Sequence, residues 1–296
     1  MPINYSFIIP HKNCPDLLKR CLDSIPIRND IQIIVIDDNS DESKKPSSIR
    51  NDVEILLLDK HQSNGAGKAR NEGLKLATGK WLVFADADDF FSDYLPAILD
   101  KYANDQETDI VYLNACLFDE DENETEYITN KLICDYCNHK KYSEMNLRYS
   151  IWTPWSRMVK RRIVDSNGIQ FEELPAGNDA MFSLLCSRFS ETVKAEKAVV
   201  YKYYKSSVGS HTDRAREKMF HSKMDLRGRI ITLQREVKYK YHSVFISEFL
   251  KEYRLHHFSL YEGYHEYREC LKKYDISLWR DIWHFLSRNF VRKINL

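Results

Sequence analysis

Three apolar runs in the first part of the chain each end in a tight polar cluster: "YSFIIP" (Tyr5–Pro10) runs into "HKN", "IQIIVI" into "DDNS", and "WLVF" into "ADADD". Between them lie segments with helical spacing. In "CPDLLKRCLDSI", Leu17, Leu18, Cys21, Leu22 and Ile25 fall on one helical face, and Pro15 suits the first turn. "VEILLLD" is expected to be a further buried strand, and "GKARNEGLKLATG" a second helix closed by Gly79. Near-continuous apolar strands alternating with helices predict a mostly parallel sheet covered on both faces. Ligands of such sheets bind beyond the carboxyl ends of the strands, where the polar clusters would meet.

Farther along, the pattern is helical from about Tyr94 to Ile110, and "DIVYLNACLF" is a strand. The acidic "DEDENETEY" is expected to be a solvated loop or hairpin tip. Ser150–Tyr204 holds a Trp-rich turn, a helix beginning near Asp179 and the strand "KAVVYKYY". Beyond Ser206 proline is absent, glycine is rare, and charged and aromatic residues alternate at helical spacing. The expectation is an α/β domain over 1–205, with halves at about 1–115 and 116–205, followed by a helical region over 206–296.

Lys plus Arg equals Asp plus Glu at 44 each, so no global field attracts nucleic acid or a membrane, and any electrostatic function is local. Seven scattered cysteines suit a reducing cytoplasm better than a disulfide framework. "CDYCNH" has zinc-like spacing at Cys134 and Cys137, but no second CxxC completes a tetrahedral site, and it reads as plain thiols in a polar loop. The opening "MPINYSFIIPHKN" lacks the basic and apolar regions of a signal peptide. No apolar run approaches the ~18 residues that a membrane span needs. A cytoplasmic protein is expected, at most peripheral at the cytoplasmic face of the membrane.

Asp86, Asp88 and Asp89 follow the buried run "WLVF" directly. Carboxylates that close repel one another and are costly to desolvate, so they call for basic side chains or a cation. "SNGAGKARNEG" superficially suggests a phosphate loop. The Walker pattern fails, because Gln62 stands where its first glycine belongs and Ala69 where Ser or Thr should follow Lys68. A Gly-rich turn opening a helix, with Lys68 and Arg70 near its start, can still serve an anionic ligand; alternatively its basic residues face solvent.

Taken together, "SFIIPHKNCPDLLKRCLDSI", "IIVIDDNSDES" and "NGAGKARNEGLKLATGKWLVFADADD" resemble the nucleotide-binding half of family 2 glycosyltransferases of the GT-A fold. "TPWSRMVKRRIV" is similar to that family's Pro-Trp-Asn-Lys segment, and "LPAGNDAMFSLL" to its Glu-Asp motif. The likeness reaches about Lys205. It implies that Asp86-Ala87-Asp88 is a DxD motif holding Mg²⁺ or Mn²⁺ against the diphosphate of a nucleotide sugar, a role suited to hard oxygen ligands. Asp88 would be the direct ligand, Asp86 would face the ribose and the metal's waters, and Asp89 would support the shell. Asp38 would accept a hydrogen bond from the base ring, unless it is a turn cap. Pro10, His11 and Asn13 would line the same pocket, largely through backbone.

The resemblance makes Asp179 the general base of an inverting transfer; an N-cap of the following helix is the alternative. Asn178 departs from the family's usual Glu. Trp155 is a candidate to stack on the acceptor sugar, or a core residue. His211 is a candidate to complete the metal shell, or part of a loop over the sugar donor. In "SLWRDIWHFLSRNFVRKINL" an apolar stripe flanked by basic residues offers a face to an anionic membrane, to the rest of the protein or to another copy. The implied function is metal-dependent transfer from a nucleotide sugar, UDP-linked, to a glycan or lipid-linked glycan of a surface polysaccharide. The rivals are an inactive relative acting as a scaffold, and a sugar-nucleotide nucleotidyltransferase. The latter needs a Gly-rich loop after the first strand, which "IIPHKNCP" lacks.

Overall fold

The computed structural model describes residues 2–46, 50–174, 177–205, 216–240, 244–247, 249–250 and 260–294. The chain divides into two compact units, one of residues 1–173 and 178–209, the other of residues 174–177 and 210–296.

The first unit is built on a nine-stranded sheet. Its strands are β1 (Tyr5–His11), β2 (Ile31–Asp37), β3 (Val53–Leu57), β4 (Trp81–Phe84), β5 (Phe90–Phe91), β6 (Ile110–Asp119), β7 (Glu124–Glu126), β8 (Arg157–Lys160) and β9 (Val193–Lys205). The order is β3-β2-β1-β4-β8-β6-β9-β5, with β7 pairing β6 as a hairpin. The quartet β3-β2-β1-β4 is parallel, as the apolar runs predict. The sheet as a whole is mixed: β8 runs antiparallel between β4 and β6, while β9 lies parallel to β6.

Both faces of the sheet are covered. On one, Phe7, Ile9, Val35 and Val83 pack with Leu18, Cys21 and Leu22 of α1 (Pro15–Asp23) and with Leu95 and Leu99 of α3 (Leu95–Tyr102). On the other, Ile8, Ile34 and Phe84 pack with Ala69 of α2 (Gly65–Leu76) and Phe182 of α7 (Ala180–Phe189). Phe84 meets Phe171 and Phe182 edge-on at 5.1 and 5.3 Å, and those two rings stack at 3.8 Å. Each such buried side chain contributes roughly 1.5–3 kcal/mol, so this cluster anchors both the strand ahead of the acids and the helix behind Asp179.

Several local expectations are corrected. β3 is an edge strand with Ile55 and Leu57 exposed, not a buried one. α2 ends at Leu76, and Gly79 does not close it. Gly79 lies against β1, where a Cβ would sit 2.6 Å from the Ser6 nitrogen. The helical pattern after Tyr94 becomes a helix only as far as Tyr102; beyond it the Asp105 carboxylate accepts from the Glu107 and Thr108 N–H groups and ties a turn. Cys134 and Cys137 sit in α4 (Ile128–Cys137), not in a loop, and both are free thiols. The acidic segment is a hairpin tip, its turn tied by Asp119 accepting from the Asp121 and Asn123 N–H groups. Two further helices, α5 (Ser143–Ser150) and α6 (Arg161–Asn167), complete this unit.

The second unit contains α8 (Arg216–Glu236), α9 (Leu260–Lys273) and α10 (Leu278–Ile294) around Phe220, Met224, Ile231, Phe245, Tyr267 and Leu271. Asp281 of α10 is buried and accepts from the Phe245 and Ile246 N–H groups and the Tyr267 hydroxyl.

Candidate functional site

Parallel register brings the carboxyl ends of β1, β2 and β4 to one edge: His11 lies beside Asp37, and Ile8 beside Phe84, just ahead of the acids. Asp37 organises that edge from within. Its buried carboxylate accepts from His11 Nδ1 at 2.7 Å, the Ser40 N–H at 3.0 Å and Ser40 Oγ at 2.5 Å. His11 Nε2 in turn accepts from the Cys14 N–H at 3.3 Å, which fixes the tautomer with the proton on Nδ1. The His11 ring is therefore structural, spent on Asp37 and Cys14, and only its backbone is left to meet a ligand. Asn13 adopts φ +58°, in the left-handed region that Asn tolerates. Its N–H reaches Ser40 Oγ and its Oδ1 accepts from the Asp41 N–H, both at 2.8 Å.

Asp38 is buried at the same edge. Its carboxylate accepts from the Asn64 N–H at 3.2 Å, the Gly65 N–H at 3.1 Å and Lys12 Nζ at 3.2 Å. It thus caps the start of α2 from a distant position, a structural role different from the local turn cap that its sequence context offers.

The acids after β4 divide their work. Asp89 is fully buried and accepts from Tyr201 Oη and the Tyr204 N–H, both at 2.7 Å. Burial first, then Asp86 and Asp88, push its carboxyl well above the usual carboxylate range. The Tyr201 hydroxyl also accepts from the Asp86 N–H at 3.0 Å, so one phenol fixes both acids. Asp86 is partly exposed and ion-paired with Arg70 at 2.5 Å. Asp88 is exposed, and its carbonyl accepts from Arg20 Nη2 at 2.7 Å, a guanidinium held over the rings of Phe90 and Tyr204. Two carboxylates two positions apart, one on an exposed residue and one partly exposed, suit a hard divalent ion. Among the described residues no cluster of three or more His, Cys, Asp or Glu could hold a metal by itself. An ion at Asp86 and Asp88 would thus draw its remaining ligands from outside the described His, Cys, Asp and Glu side chains.

Lys68 lies between Glu72 at 3.1 Å and Glu173 at 3.6 Å, and Arg70 between Asp86 and Asn178. Lys68 and Arg70 therefore face protein acids and the segment ahead of α7, not open solvent. Gly67 allows that approach, since a Cβ there would fall 2.1 Å from the Glu172 carbonyl oxygen. Asn71 fastens the same segment, its amide donating to the Phe171 carbonyl at 2.9 Å and accepting from the Phe171 N–H at 2.8 Å. Asp179 occupies the N-cap position of α7 but makes no side-chain capping bond. Its carboxyl is half-buried, and burial raises it above the usual range against the opposing pull of Arg70. A carboxyl unspent on capping and shifted upward has the character of a proton acceptor.

Trp155 is corrected as an acceptor platform. It is 3 % exposed and stacks on Tyr201 at 4.6 Å, with Tyr203 and Tyr127 also against it, so its role is to back the phenol that fixes Asp86 and Asp89. His211 lies outside the described residues. Sequence reasoning missed Tyr201, Asn71 and Arg20; the first lay in plain sight in "VVYKYY", but nothing local marked its partner.

Compared with known proteins, residues 6–166 match the family described as "Glycosyl transferase family 2". The chain is 27% identical over 208 residues to the uncharacterized glycosyltransferase EpsJ of Bacillus subtilis, covering 67% of this chain and 60% of that one. It is 28% identical over 214 residues to the uncharacterized glycosyltransferase YibD of Escherichia coli, with the same coverage of each. These matches thus span less than two thirds of either relative. Among solved structures, Staphylococcus aureus TarS 1–349 in complex with UDP-GlcNAc superposes with a TM-score of 0.67 at 16% identity, over 92% of this chain and 80% of that one. The mannosyltransferase PcManGT of Pyrobaculum calidifontis, in complex with GDP-Man and Mn²⁺, does so with a TM-score of 0.51 at 16% identity, over 98% and 82%.

Proposed function

The chain belongs to glycosyl transferase family 2, and from that membership we propose that it transfers a sugar, with inversion, from a UDP-linked donor to a glycan or lipid-linked glycan acceptor. One observation carries the reading: a single guanidinium, Arg70, joins Asp86 on the sugar-donor side to Asn178, the neighbour of Asp179. The residues assigned to the two substrates thus surround one point.

In this reading Asp38 and the backbone of Pro10, His11 and Asn13 receive the base, while Asp86 and Asp88 face the ribose and diphosphate. Lys68 and Arg70, near the start of α2, would share the charge of the diphosphate. Asp179 takes the proton from the acceptor hydroxyl as that oxygen bonds to the anomeric carbon and the bond to the diphosphate breaks. Asp86 and Asp88 would hold Mg²⁺ or Mn²⁺, whose charge stabilises the departing diphosphate. TarS with UDP-GlcNAc and PcManGT with GDP-Man and Mn²⁺ are neighbours of the same fold, which supports the nucleotide-sugar class and a divalent ion.

The test is release of UDP from UDP-sugars in the presence of polyprenyl-linked glycan acceptors. Wild type should turn over, with a rate that falls as pH drops through the raised value of Asp179, because the base acts only when ionised. Asp179→Asn should lose about 10²–10⁴-fold while still binding UDP. Equal turnover by Asp179→Asn would remove the base assignment, and nucleotide binding without turnover in wild type would favour the scaffold reading.

A further inference from the structure

Arg70 is a nearly buried cation, its side chain 6 % exposed, with its guanidinium over the Phe171 ring. One arm reaches the Asp86 carboxylate at 2.5 Å and the other the neutral amide oxygen of Asn178 at 3.0 Å. A buried cation is stabilised by whatever negative charge surrounds it, and a neutral partner on one arm leaves that charge acting beyond its bonded atoms. The segment it holds is clamped elsewhere too: Asn71 grips Phe171 on both sides, and the Glu172 N–H closes on the Asn178 carbonyl at 3.1 Å. The groups whose charge is felt at Asp179 come from separate elements. They are Arg70 of α2, Asp86 beyond β4 and Arg157 of β8. The Tyr127 phenol ahead of α4 lies within reach of Asp179 as well, and the Asp179 charge, after burial, raises that phenol.

We infer that Asn178 is a positioning residue: through it Arg70 holds the segment ahead of α7, and its neutral amide leaves the guanidinium charge to be shared by Asp86 and Asp179. The inference rests on the transferase reading only in calling Asp179 the base. An aspartate at 178 would take up Arg70 and add a negative charge beside Asp179. Loss of the guanidinium would remove the attraction directly. Both changes favour the protonated Asp179, whereas lysine at 70 keeps the charge and loses only the fork.

The experiment is a ¹³C-carboxyl NMR titration of the full chain without nucleotide, with the Asp179 resonance identified by its loss in Asp179→Asn. Asp179 should titrate about one unit higher in Asn178→Asp and in Arg70→Met than in wild type, and close to wild type in Arg70→Lys. Titration of Asp179 within about 0.2 unit of wild type in both of the first two variants overturns the inference. Asn178→Asp is isosteric, so it decides the matter alone if Arg70→Met does not fold. The pH profile of UDP release then separates the two claims. An acid limb that moves with the resonance supports both. A resonance that moves under an unmoved limb keeps the positioning role and ends the assignment of Asp179 as base.

Discussion

Tyr201 joins two of the three acids after β4 while Trp155 stacks on its ring, so the outward carboxylates rest on an inward one that burial disfavours as an anion. Asp89, raised well above the carboxylate range, has a folded value above its unfolded one. Folding therefore favours the protonated acid. The stabilisation is complete below the ordinary Asp value of about 3.9 and is lost as pH rises toward the raised value. Asp89→Asn should accordingly flatten the decline in melting temperature from about pH 4 upward; an unchanged slope in thermal scans would contradict it. At this scale the acids themselves were legible, because charges directly after a buried run need a reason. The division of labour among them was not, since Asp89 and Tyr201 lie 112 positions apart and Arg70 and Asn178 lie 108. Trp155 failed as a sugar platform because the partners that bury it also come from distant strands.

Helix α2 is the element whose meaning changed most between sequence and structure. Its glycines and cations suggest an anion site, and the fold gives it a second task, as a platform for the segment carrying Asn178 and Asp179. Helix propensity alone would have Gly67→Ala stabilise by about 1 kcal/mol. The 2.1 Å approach to the Glu172 carbonyl reverses the sign, and a net loss of about 1–3 kcal/mol is expected in denaturant titration. A gain in stability would mean that the segment does not press on α2. The parallel quartet was readable from period and composition because its inner strands are buried on both faces. β3 was misjudged, since an apolar strand at the sheet's edge carries the same residues as a central one. β8 and its antiparallel insertion left no periodic signature in four residues.

Each of the two units has its own core, and among the described residues no helix is long and apolar enough to cross a membrane. On α10, Trp279 and Trp283 are 78 % and 70 % exposed and Leu286 shares their face, while Asp281, the helix's single acid, is turned into the unit's interior. The remaining charges of that helix, Arg280, Arg288, Arg292 and Lys293, are positive. We propose that this face meets an anionic bilayer, where Trp settles at the interface. The chain should cosediment with phosphatidylglycerol vesicles, less so at high salt, and Trp279→Ser/Trp283→Ser should lose the association; equal sedimentation of both proteins would contradict it. The proposed sugar-nucleotide site lies at the edge where β1, β2 and β4 end. Calorimetric titration of UDP, with and without Mn²⁺, on wild type and Asp88→Asn tests it most directly. Binding that requires Mn²⁺ and disappears in Asp88→Asn is the predicted result, and UDP binding that ignores both the ion and the substitution would contradict it.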